Sequence, residues 1–207
     1  MPRILGLDEA GRGCVLGPLV IGCAYADQDD PAGLRAAGAN DSKLLSAARR
    51  AQAAARLETL VTHRLVLVSP QEIDEGNINT LEESAFAALI NEAAPDTVYI
   101  DAPVNPRGIP AFRARLIARL TVPLPAFIIE PKADATYPIV GAASIFAKLR
   151  RDAEIAVLGA VGSGYPTDPV TRAWLRGFID RAEPFPPCVR TRWATLDNLR
   201  QQPLLGG

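Results

Sequence analysis

The chain has 207 residues, of which 48% are hydrophobic and 22% are charged, and its formal net charge is -1 at pH 7. This length suits one domain, with or without a small appendage, and the composition excludes a disordered or fibrous chain. No apolar run approaches the ~20 residues of a membrane helix, and no secretory signal precedes the first apolar run, so we expect a cytoplasmic protein without a membrane span.

The three cysteines are too few and too scattered to indicate a disulfide framework, and the chain has only one histidine. The cysteine spacing also fits no zinc motif. Any metal would therefore be held by oxygen atoms, which favours Mg²⁺ or Mn²⁺ over zinc.

Charge is distributed unevenly along the chain. Residues 1–131 hold 12 Lys and Arg against 16 Asp and Glu, a net of -4, whereas residues 132–207 hold 10 against 7, a net of +3. A basic C-terminal part facing an acidic site is compatible with a phosphodiester substrate, although an excess of three charges is small.

Hydrophobic periodicity and turn residues predict five strands and four helices, of which the one at residues 110–119 is short. The strands are expected at residues 4–7, 19–26, 64–69, 97–101 and 126–130. The helices are expected at about residues 46–62, 79–93, 110–119 and 138–158, with Ser46 as the N-cap of the first. Residues 27–40 are expected to form a loop, and the chain after Pro166 short helices and turns.

This order of elements predicts an α/β fold with a mixed five-stranded sheet flanked by helices. The first two strands, joined by a short turn, indicate an antiparallel hairpin, and the later alternation of strands and helices indicates a largely parallel region. A glycine-containing stretch at residues 160–164 is the nearest feature to a boundary. We therefore predict a core at residues 1–159 and a helical C-terminal part at residues 160–207, with one continuous domain as the alternative.

Acidic residues come at or just after the ends of three predicted strands: Asp8 and Glu9, then Asp101, then Asp134. In open α/β sheets, ligands bind outside the carboxyl ends of the strands. If strands one and four are parallel neighbours, Asp8 and Asp101 lie side by side. The alternative for each is a turn or cap residue, and for Asp8 and Glu9 together a hairpin with a solvated acidic tip.

Clustered carboxylates suit phosphoryl chemistry, because two divalent ions ~3.5–4 Å apart can activate a water and stabilise the leaving oxygen. Consecutive residues of a strand point to opposite faces, so we assign Asp8 as the bridging ligand and Glu9 as a more peripheral one.

A glycine turn, residues 11–13, follows these acids, and its lack of side chains would let the backbone approach a phosphate or sugar. Arg190 and Arg192 either contact phosphates or cover apolar surface with their stems.

Residues 6–18 closely resemble the opening motif of the ribonuclease HII family, the type 2 ribonucleases H. Further segments resemble the family in the same order as far as about residue 195, and residues 163–169 and 189–193 are closer to its archaeal branch. The resemblance implies an RNase H-like fold. It implies that the catalytic and metal-binding residues are Asp8, Glu9, Asp101 and Asp134, and that the substrate-binding residues are Gly11, Arg12, Gly13, Lys43, Lys148 and Tyr165.

The resemblance also implies an endonuclease that cuts RNA in RNA–DNA hybrids and single ribonucleotides embedded in duplex DNA, in DNA replication and repair. Two Mg²⁺ or Mn²⁺ ions would serve as cofactors, and the products would carry 3′-hydroxyl and 5′-phosphate ends. Tyr165 would read the ribose 2′-hydroxyl. Tyr137 is the alternative for this role, and Tyr165 is preferred because glycines precede it and it matches the family motif more closely.

Two other functions remain open: a related metal nuclease acting on DNA, such as a junction resolvase, and a binding module without activity. Four intact acids argue against the module, because uncompensated carboxylates repel phosphate. We expect a monomer, and no clamp-binding motif, because residues 199–207 lack the aromatic pair expected in one.

Overall fold

The computed structural model describes residues 2–39 and 45–201. Its strands are β1 (Ile4–Ala10), β2 (Leu19–Ala26), β3 (Thr62–Val68), β4 (Thr97–Asp101) and β5 (Ala126–Glu130). Its helices are α1 (Pro31–Ala37), α2 (Ala47–Leu57), α3 (Pro70–Glu75), α4 (Ile78–Ala93), α5 (Ile109–Ile117), α6 (Ala133–Thr136), α7 (Pro138–Ala156), α8 (Pro169–Asp180) and α9 (Ala194–Gln201).

The five strands form one mixed sheet in the order β3-β2-β1-β4-β5. β1 pairs with β2 antiparallel and with β4 parallel, so the central strand joins the two kinds of pairing. β5 extends the parallel half, and β3 pairs antiparallel with β2 at the other edge. The mixed sheet is confirmed, but β3 does not belong to the parallel region expected from residue 46 onward. The parallel pairing of β1 with β4 fulfils the condition under which Asp8 and Asp101 would lie side by side.

Some expectations about local structure were wrong. The first strand continues past Leu7 to Ala10, so Asp8 and Glu9 lie within β1 and not after it. Residues 27–40 contain α1, which Asp30 caps by accepting a hydrogen bond from Gly33 N–H, and which ends at Gly38 in a left-handed conformation. The helix expected to reach residue 62 ends at Leu57, although its predicted N-cap, Ser46, is confirmed. Capping side chains thus fix the start of both helices, and the left-handed Gly38 ends α1.

Helices cover both faces of the sheet and bury two separate apolar clusters. One face packs Leu5, Leu7 and Ile21 against the α4 and α5 side chains, including Phe86 and Phe112. The other face packs against α1, α2 and α7. The strands are therefore buried on both sides, which explains the nearly continuous apolar sequence of β1 and β2.

The helix α7 lies against β1 and β2 at very short range because two strand glycines leave room for it. A Cβ atom on Gly6 would come within 2.4 Å of the Ile139 backbone, and one on Gly22 within 2.7 Å of the Ala143 carbonyl oxygen. This close contact brings the middle of α7 to the end of β1, where Asp8 lies.

A third apolar cluster joins the C-terminal part to the loop after β1. Val15 and Leu16 pack there with buried residues of the C-terminal part, such as Leu175 and Leu196. An isolated antiparallel bridge pairs Leu16 with Val189. The division into residues 1–159 and 160–207 stays a prediction.

Within residues 2–39 and 45–201, no helix combines the length and the apolar character required to span a membrane.

Candidate active site

Three carboxylates meet at the carboxyl ends of the two central parallel strands. Asp8 lies in β1 and Asp101 ends β4, one position beyond the paired residues Leu7 and Ile100. Asp134 lies in the first turn of α6. One oxygen atom of each carboxylate lies within 4.8 Å of the other two, so the three form a compact cluster.

A left-handed residue after β5 brings Asp134 to this cluster. Lys132 has a φ of +61°, an uncommon conformation for a residue with a side chain, and it turns the chain sharply from β5 into α6. Ala133 N–H then donates a hydrogen bond to Asp101 Oδ1 at 3.1 Å. Asp101 thus holds the start of α6, and the next residue, Asp134, is buried beside it.

Two polar side chains of α7, Ser144 and Lys148, lie close to Asp8. The Ser144 hydroxyl hydrogen-bonds the Asp8 carboxylate, and Lys148 Nζ donates to Ser144 Oγ at 2.9 Å. The two residues are one helical turn apart, so both face the cluster. Lys148 therefore brings a positive charge close to Asp8 through Ser144.

The environment of Asp8 raises its pKa to about 7. Burial is the largest cause, and the charges of Asp101 and Asp134 add to it, whereas the Ser144 hydrogen bond and Lys148 oppose it. Three carboxylates this close cannot all ionise easily without a compensating cation.

Glu9 lies beside this group, although its oxygens are not among those within 4.8 Å of one another. Its N–H donates to Asp8 Oδ1 at 2.8 Å, and its Oε2 atom is buried without a hydrogen-bond partner among the described residues. Burial, followed by the charges of Asp8 and Glu82, raises the pKa of Glu9 well above its ordinary value. A cation shared with Asp8 would satisfy this oxygen.

The donor set fits a hard divalent cation. All of the clustered ligand atoms are carboxylate oxygens, which Mg²⁺ and Mn²⁺ prefer. The buried, unpaired oxygen of Glu9 beside the cluster is a second sign of such a site.

The acidic residues border a cleft of about 190 Å³. Its walls are Asp8, Glu9, Ala10, Gly11, Arg12, Gly13, Asp101, Lys148 and Tyr165. The cleft thus contains three of the four predicted acids and five of the six predicted substrate-binding residues, and the fourth acid, Asp134, clusters with Asp8 and Asp101. The remaining residue, Lys43, lies outside the part of the chain that the structure describes.

Backbone conformation requires glycine at the start of the glycine turn. Gly11 has a φ of +86°, and a Cβ atom there would lie 2.7 Å from the Pro18 carbonyl oxygen. Arg12 then extends to α4, where it forms an ion pair with Glu82 and donates to Asn79 Oδ1. Burial raises the pKa of Glu82 to about 7, and Arg12 counteracts that rise.

The two candidate tyrosines lie in different places. Tyr165 is 37% exposed and lines the cleft, with the guanidinium carbon of Arg151 5.1 Å from its ring centroid. Tyr137 lines a separate pocket, where its ring centroid is 4.8 Å from that of Tyr99. The structure therefore brings Tyr165, and not Tyr137, to the walls of the cleft.

Sequence reasoning missed Glu82, Ser144 and Arg151, which support these groups, and it named Arg190 only as a phosphate contact or a cover for apolar surface. Ser144 and Arg151 are near Lys148 in the sequence, and helical periodicity from Lys148 would have placed Ser144 on the same face. Glu82 and Arg190 are distant from the residues they contact, and no local pattern indicates those contacts.

A mixed sheet with clustered acids at the ends of its central strands defines an RNase H-like hydrolase, and comparison with known proteins identifies the family. The ribonuclease HII family model matches residues 5–196. Ribonuclease HII of Pyrococcus horikoshii is 41% identical, over 97% of this chain and 94% of its own length. The chain belongs to the ribonuclease HII family, and it is a ribonuclease H.

Solved structures agree with this assignment. The crystal structure of ribonuclease H2 from Pyrococcus horikoshii OT3 superposes with a TM-score of 0.86 at 40% identity, covering 96% of this chain and 97% of that one. The PCNA:RNase HII complex from Archaeoglobus fulgidus has a TM-score of 0.85 at 38% identity, covering 97% and 98%. The similarity to archaeal relatives, expected from residues 163–169 and 189–193, is confirmed.

Proposed function

We propose that this ribonuclease H hydrolyses RNA in RNA–DNA hybrids and at single ribonucleotides embedded in duplex DNA, leaving 3′-hydroxyl and 5′-phosphate ends. The observation that carries the proposal is the position of Tyr165 and the glycine turn in the same cleft as Asp8 and Asp101. A ribonucleotide differs from a deoxyribonucleotide by one hydroxyl, so discrimination requires a polar group beside the sugar while the acids face the neighbouring phosphate.

The metal-binding residues would be Asp8, Glu9, Asp101 and Asp134, with Asp8 at the centre and Glu9 more peripheral. Two bound Mg²⁺ or Mn²⁺ ions would supply an activated water and stabilise the leaving oxygen of an in-line displacement. The protein would orient this centre through hydrogen bonds to its carboxylates: Ser144 and Glu9 N–H fix Asp8, and Ala133 N–H fixes Asp101. Such outer partners keep the ligands in one orientation before the substrate arrives.

Cationic and backbone groups would bind the substrate strand around the acids. Lys148 places an ammonium group next to the cluster, where it would attract a phosphate. The glycine turn would approach the backbone around the ribonucleotide, and family resemblance assigns Lys43 to a phosphate as well. Arg12, held by Glu82, would act with this turn.

Tyr165 would recognise the ribose through its hydroxyl and stack its ring on the following sugar. Burial, followed by the neighbouring thiol of Cys14, raises the pKa of Tyr165, so its hydroxyl keeps its proton at neutral pH. A thiol is a weak hydrogen-bonding partner, so this neighbour would not compete strongly with a 2′-hydroxyl.

The relevant partner is therefore nucleic acid, and we propose that the enzyme acts as a cytoplasmic monomer. The Archaeoglobus fulgidus relative has been solved in a complex with PCNA. The absence of a clamp-binding motif from residues 199–207 stays a prediction, since residues 202–207 lie outside the described ranges.

The test compares three 5′-labelled duplexes: one with a single ribonucleotide in DNA, one RNA–DNA hybrid and one all-DNA duplex. Each is incubated with Mg²⁺, with Mn²⁺ or with a chelator, and Asp101→Asn is the inactive control. We expect cleavage of the first two duplexes with either metal and none with chelator. A DNA polymerase should extend the upstream product, because its end is a 3′-hydroxyl.

Cleavage of the all-DNA duplex at a similar rate would favour the DNA-cutting nuclease instead. Cleavage in the presence of chelator, or by Asp101→Asn, would exclude the metal mechanism. Binding of all three duplexes without cleavage would indicate the binding module.

A further inference from the structure

The side chain of Arg190 is completely buried and reaches from the C-terminal part into the loop after β1. Its Nη2 donates to the Gly11 carbonyl at 2.7 Å, its Nη1 to the Arg12 carbonyl at 3.1 Å, and its Nε to the Gly17 carbonyl at 3.1 Å. The Arg190 backbone N–H also donates to the Val15 carbonyl at 2.9 Å. One residue thus fixes four carbonyl groups of residues 11–17.

No carboxylate of the described residues lies within ion-pair distance of Arg190. Its guanidinium carbon lies 5.2 Å from the ring centroid of Trp193. Burial lowers the pKa of Arg190 to about 10, so the side chain remains protonated at neutral pH. A buried cation without an ion-pair partner is costly to desolvate. An apolar side chain of the same size would avoid that cost but would leave the Gly11, Arg12 and Gly17 carbonyls without their donors. Filling of space alone therefore does not account for an arginine here.

The cation has two effects on the glycine turn in front of it. Hydrogen bonds from a charged donor are roughly twice as strong as neutral ones, so the carbonyls of Gly11 and Arg12 are held firmly toward the interior. The positive charge also lies in a medium of low dielectric constant, directly behind a turn that lines the cleft. Both effects favour an anion on the cleft side of the turn.

We propose that Arg190 is a positioning residue for the nucleic-acid backbone. It holds residues 11–17 in the shape that receives a phosphate, and it places a permanent positive charge behind them. Its complete burial means that it acts through the turn and does not contact substrate itself. This inference rests on the proposed function, because the phosphate is that of the ribonucleotide-containing strand.

The test uses Arg190→Met, which removes the charge and the three side-chain hydrogen bonds, and Arg190→Lys, which keeps the charge but loses the planar fork. Phe112→Leu is the matched control, because Phe112 is equally buried but lies in α5 against Phe86. For each variant we would measure Tm, kcat and KM on the single-ribonucleotide duplex, the Kd of that duplex without metal, and amide hydrogen exchange of residues 11–17.

We expect Arg190→Met to raise KM and Kd about tenfold, in line with the loss of charge-assisted hydrogen bonds, and to leave kcat within about threefold of wild type. Arg190→Lys should raise both constants by about threefold, since it restores the charge but not the geometry. Hydrogen exchange in residues 11–17 should accelerate in Arg190→Met. Phe112→Leu should lower Tm while leaving KM, Kd and this exchange unchanged.

Unchanged KM, Kd and exchange in Arg190→Met, with only Tm lowered, would overturn the proposal and make Arg190 a packing residue. If Arg190→Met does not fold, wild-type constants and exchange in Arg190→Lys would overturn it equally. If the wild-type enzyme cuts no ribonucleotide-containing duplex, the proposed function fails, and Kd and hydrogen exchange still decide whether Arg190 positions the turn.

Discussion

The two sides of the cleft are built by different means. On the acidic side, the backbone register of β1 and β4 alone places Asp8 next to Asp101. On the opposite side, long-range contacts shape the glycine turn and the segment around Tyr165. Arg190 donates to the turn, and Arg151 donates to the Ser163 carbonyl at 3.0 Å. The acidic side is therefore a property of the sheet, whereas the substrate-facing side depends on the C-terminal part.

A second network on the substrate-facing side reinforces this difference. Gly164 N–H donates to the buried Thr171 Oγ1 at 3.0 Å, and the Gly164 carbonyl accepts from Val15 N–H at 2.8 Å. The segment before Tyr165 is thus tied both to α8 and to the loop after β1. Changes on the acidic side should abolish chemistry without altering the shape of the cleft, and changes on the opposite side should weaken recognition while sparing chemistry.

The largest effect is expected from the acidic side. Asp8→Asn and Asp101→Asn should each lower kcat at least roughly a thousandfold, about 4 kcal/mol of transition-state stabilisation, because each removes a charged ligand at the centre of the cluster. Single-turnover cleavage of the single-ribonucleotide duplex measures this effect. Asp27→Asn, which removes an exposed partner of Arg3, is the control and should cleave normally. A near-normal cleavage rate in Asp8→Asn or Asp101→Asn would show that the substituted carboxylate is not required for catalysis.

The same cluster should also be detectable without substrate, through the pH dependence of stability. The pKa of Asp8 in the folded, metal-free protein is about 7, above its ordinary value of 3.8. The folded state therefore retains a proton that the unfolded state has released, and stability falls as pH rises from about 4 to 7. The contribution of Asp8 to this fall is at most roughly 4 kcal/mol.

Asp8→Asn should lack this contribution, so without metal it should be more stable than wild type at pH 7 and similar to it at pH 4. Urea denaturation in chelator at both pH values measures the difference. Tyr165→Phe serves as the comparison from the substrate-facing side and should follow the wild-type pH dependence. Equal stabilities of wild type and Asp8→Asn at pH 7 would show that burial and the neighbouring carboxylates do not raise the pKa of Asp8.

Intermediate effects are expected at Tyr165. Tyr165→Phe keeps the ring and loses one hydrogen bond of roughly 0.5–1.5 kcal/mol, so kcat/KM on the single-ribonucleotide duplex should fall about two- to tenfold. Tyr165→Ala also loses stacking and should be clearly worse. Continuous hybrids, which offer many sites, should be less affected.

The control for Tyr165 is Tyr137→Phe, because Tyr137 lies in the other pocket. It should match wild type on both substrates. If both Tyr165 variants have the wild-type kcat/KM and Tyr137→Phe has a lower one, Tyr137 and not Tyr165 recognises the sugar.

The smallest effect on kcat/KM is expected from Arg151, whose guanidinium group lies over the aromatic ring of Tyr165. A cation–π contact of this kind contributes roughly 0.5–1 kcal/mol when partly exposed, so Arg151→Met should lower kcat/KM about two- to fivefold. The loss should be smaller in a Tyr165→Ala background, since the ring is then absent. Fully additive losses in this double-mutant cycle would mean that Arg151 acts independently of Tyr165.

The acidic side could largely be predicted from the sequence because its geometry follows from strand ends. The bounds of β2, β4 and β5 match those expected, and the parallel pairing of β1 with β4, which the sequence offered only as a condition, places Asp8 beside Asp101. On the substrate-facing side, the residues themselves indicated only the glycine turn, and Tyr165 could be named only from family resemblance. The residues that hold this side in place contact it over long distances in the sequence. Arg190, for example, hydrogen-bonds the Gly11 carbonyl 179 positions away, and no periodic sequence pattern indicates such a side-chain contact.

Calorimetric titration of Mn²⁺ tests most directly whether the clustered acids form a metal centre. Wild type and Asp134→Asn would be titrated at pH 6.5 in two buffers of different ionisation enthalpy. We expect wild type to bind Mn²⁺ with release of protons, because Asp8 is partly protonated near its pKa of about 7. Asp134→Asn should bind about tenfold more weakly or worse, since one charged ligand is lost. Equal affinities of the two proteins, with no proton release in wild type, would contradict a metal centre at these carboxylates.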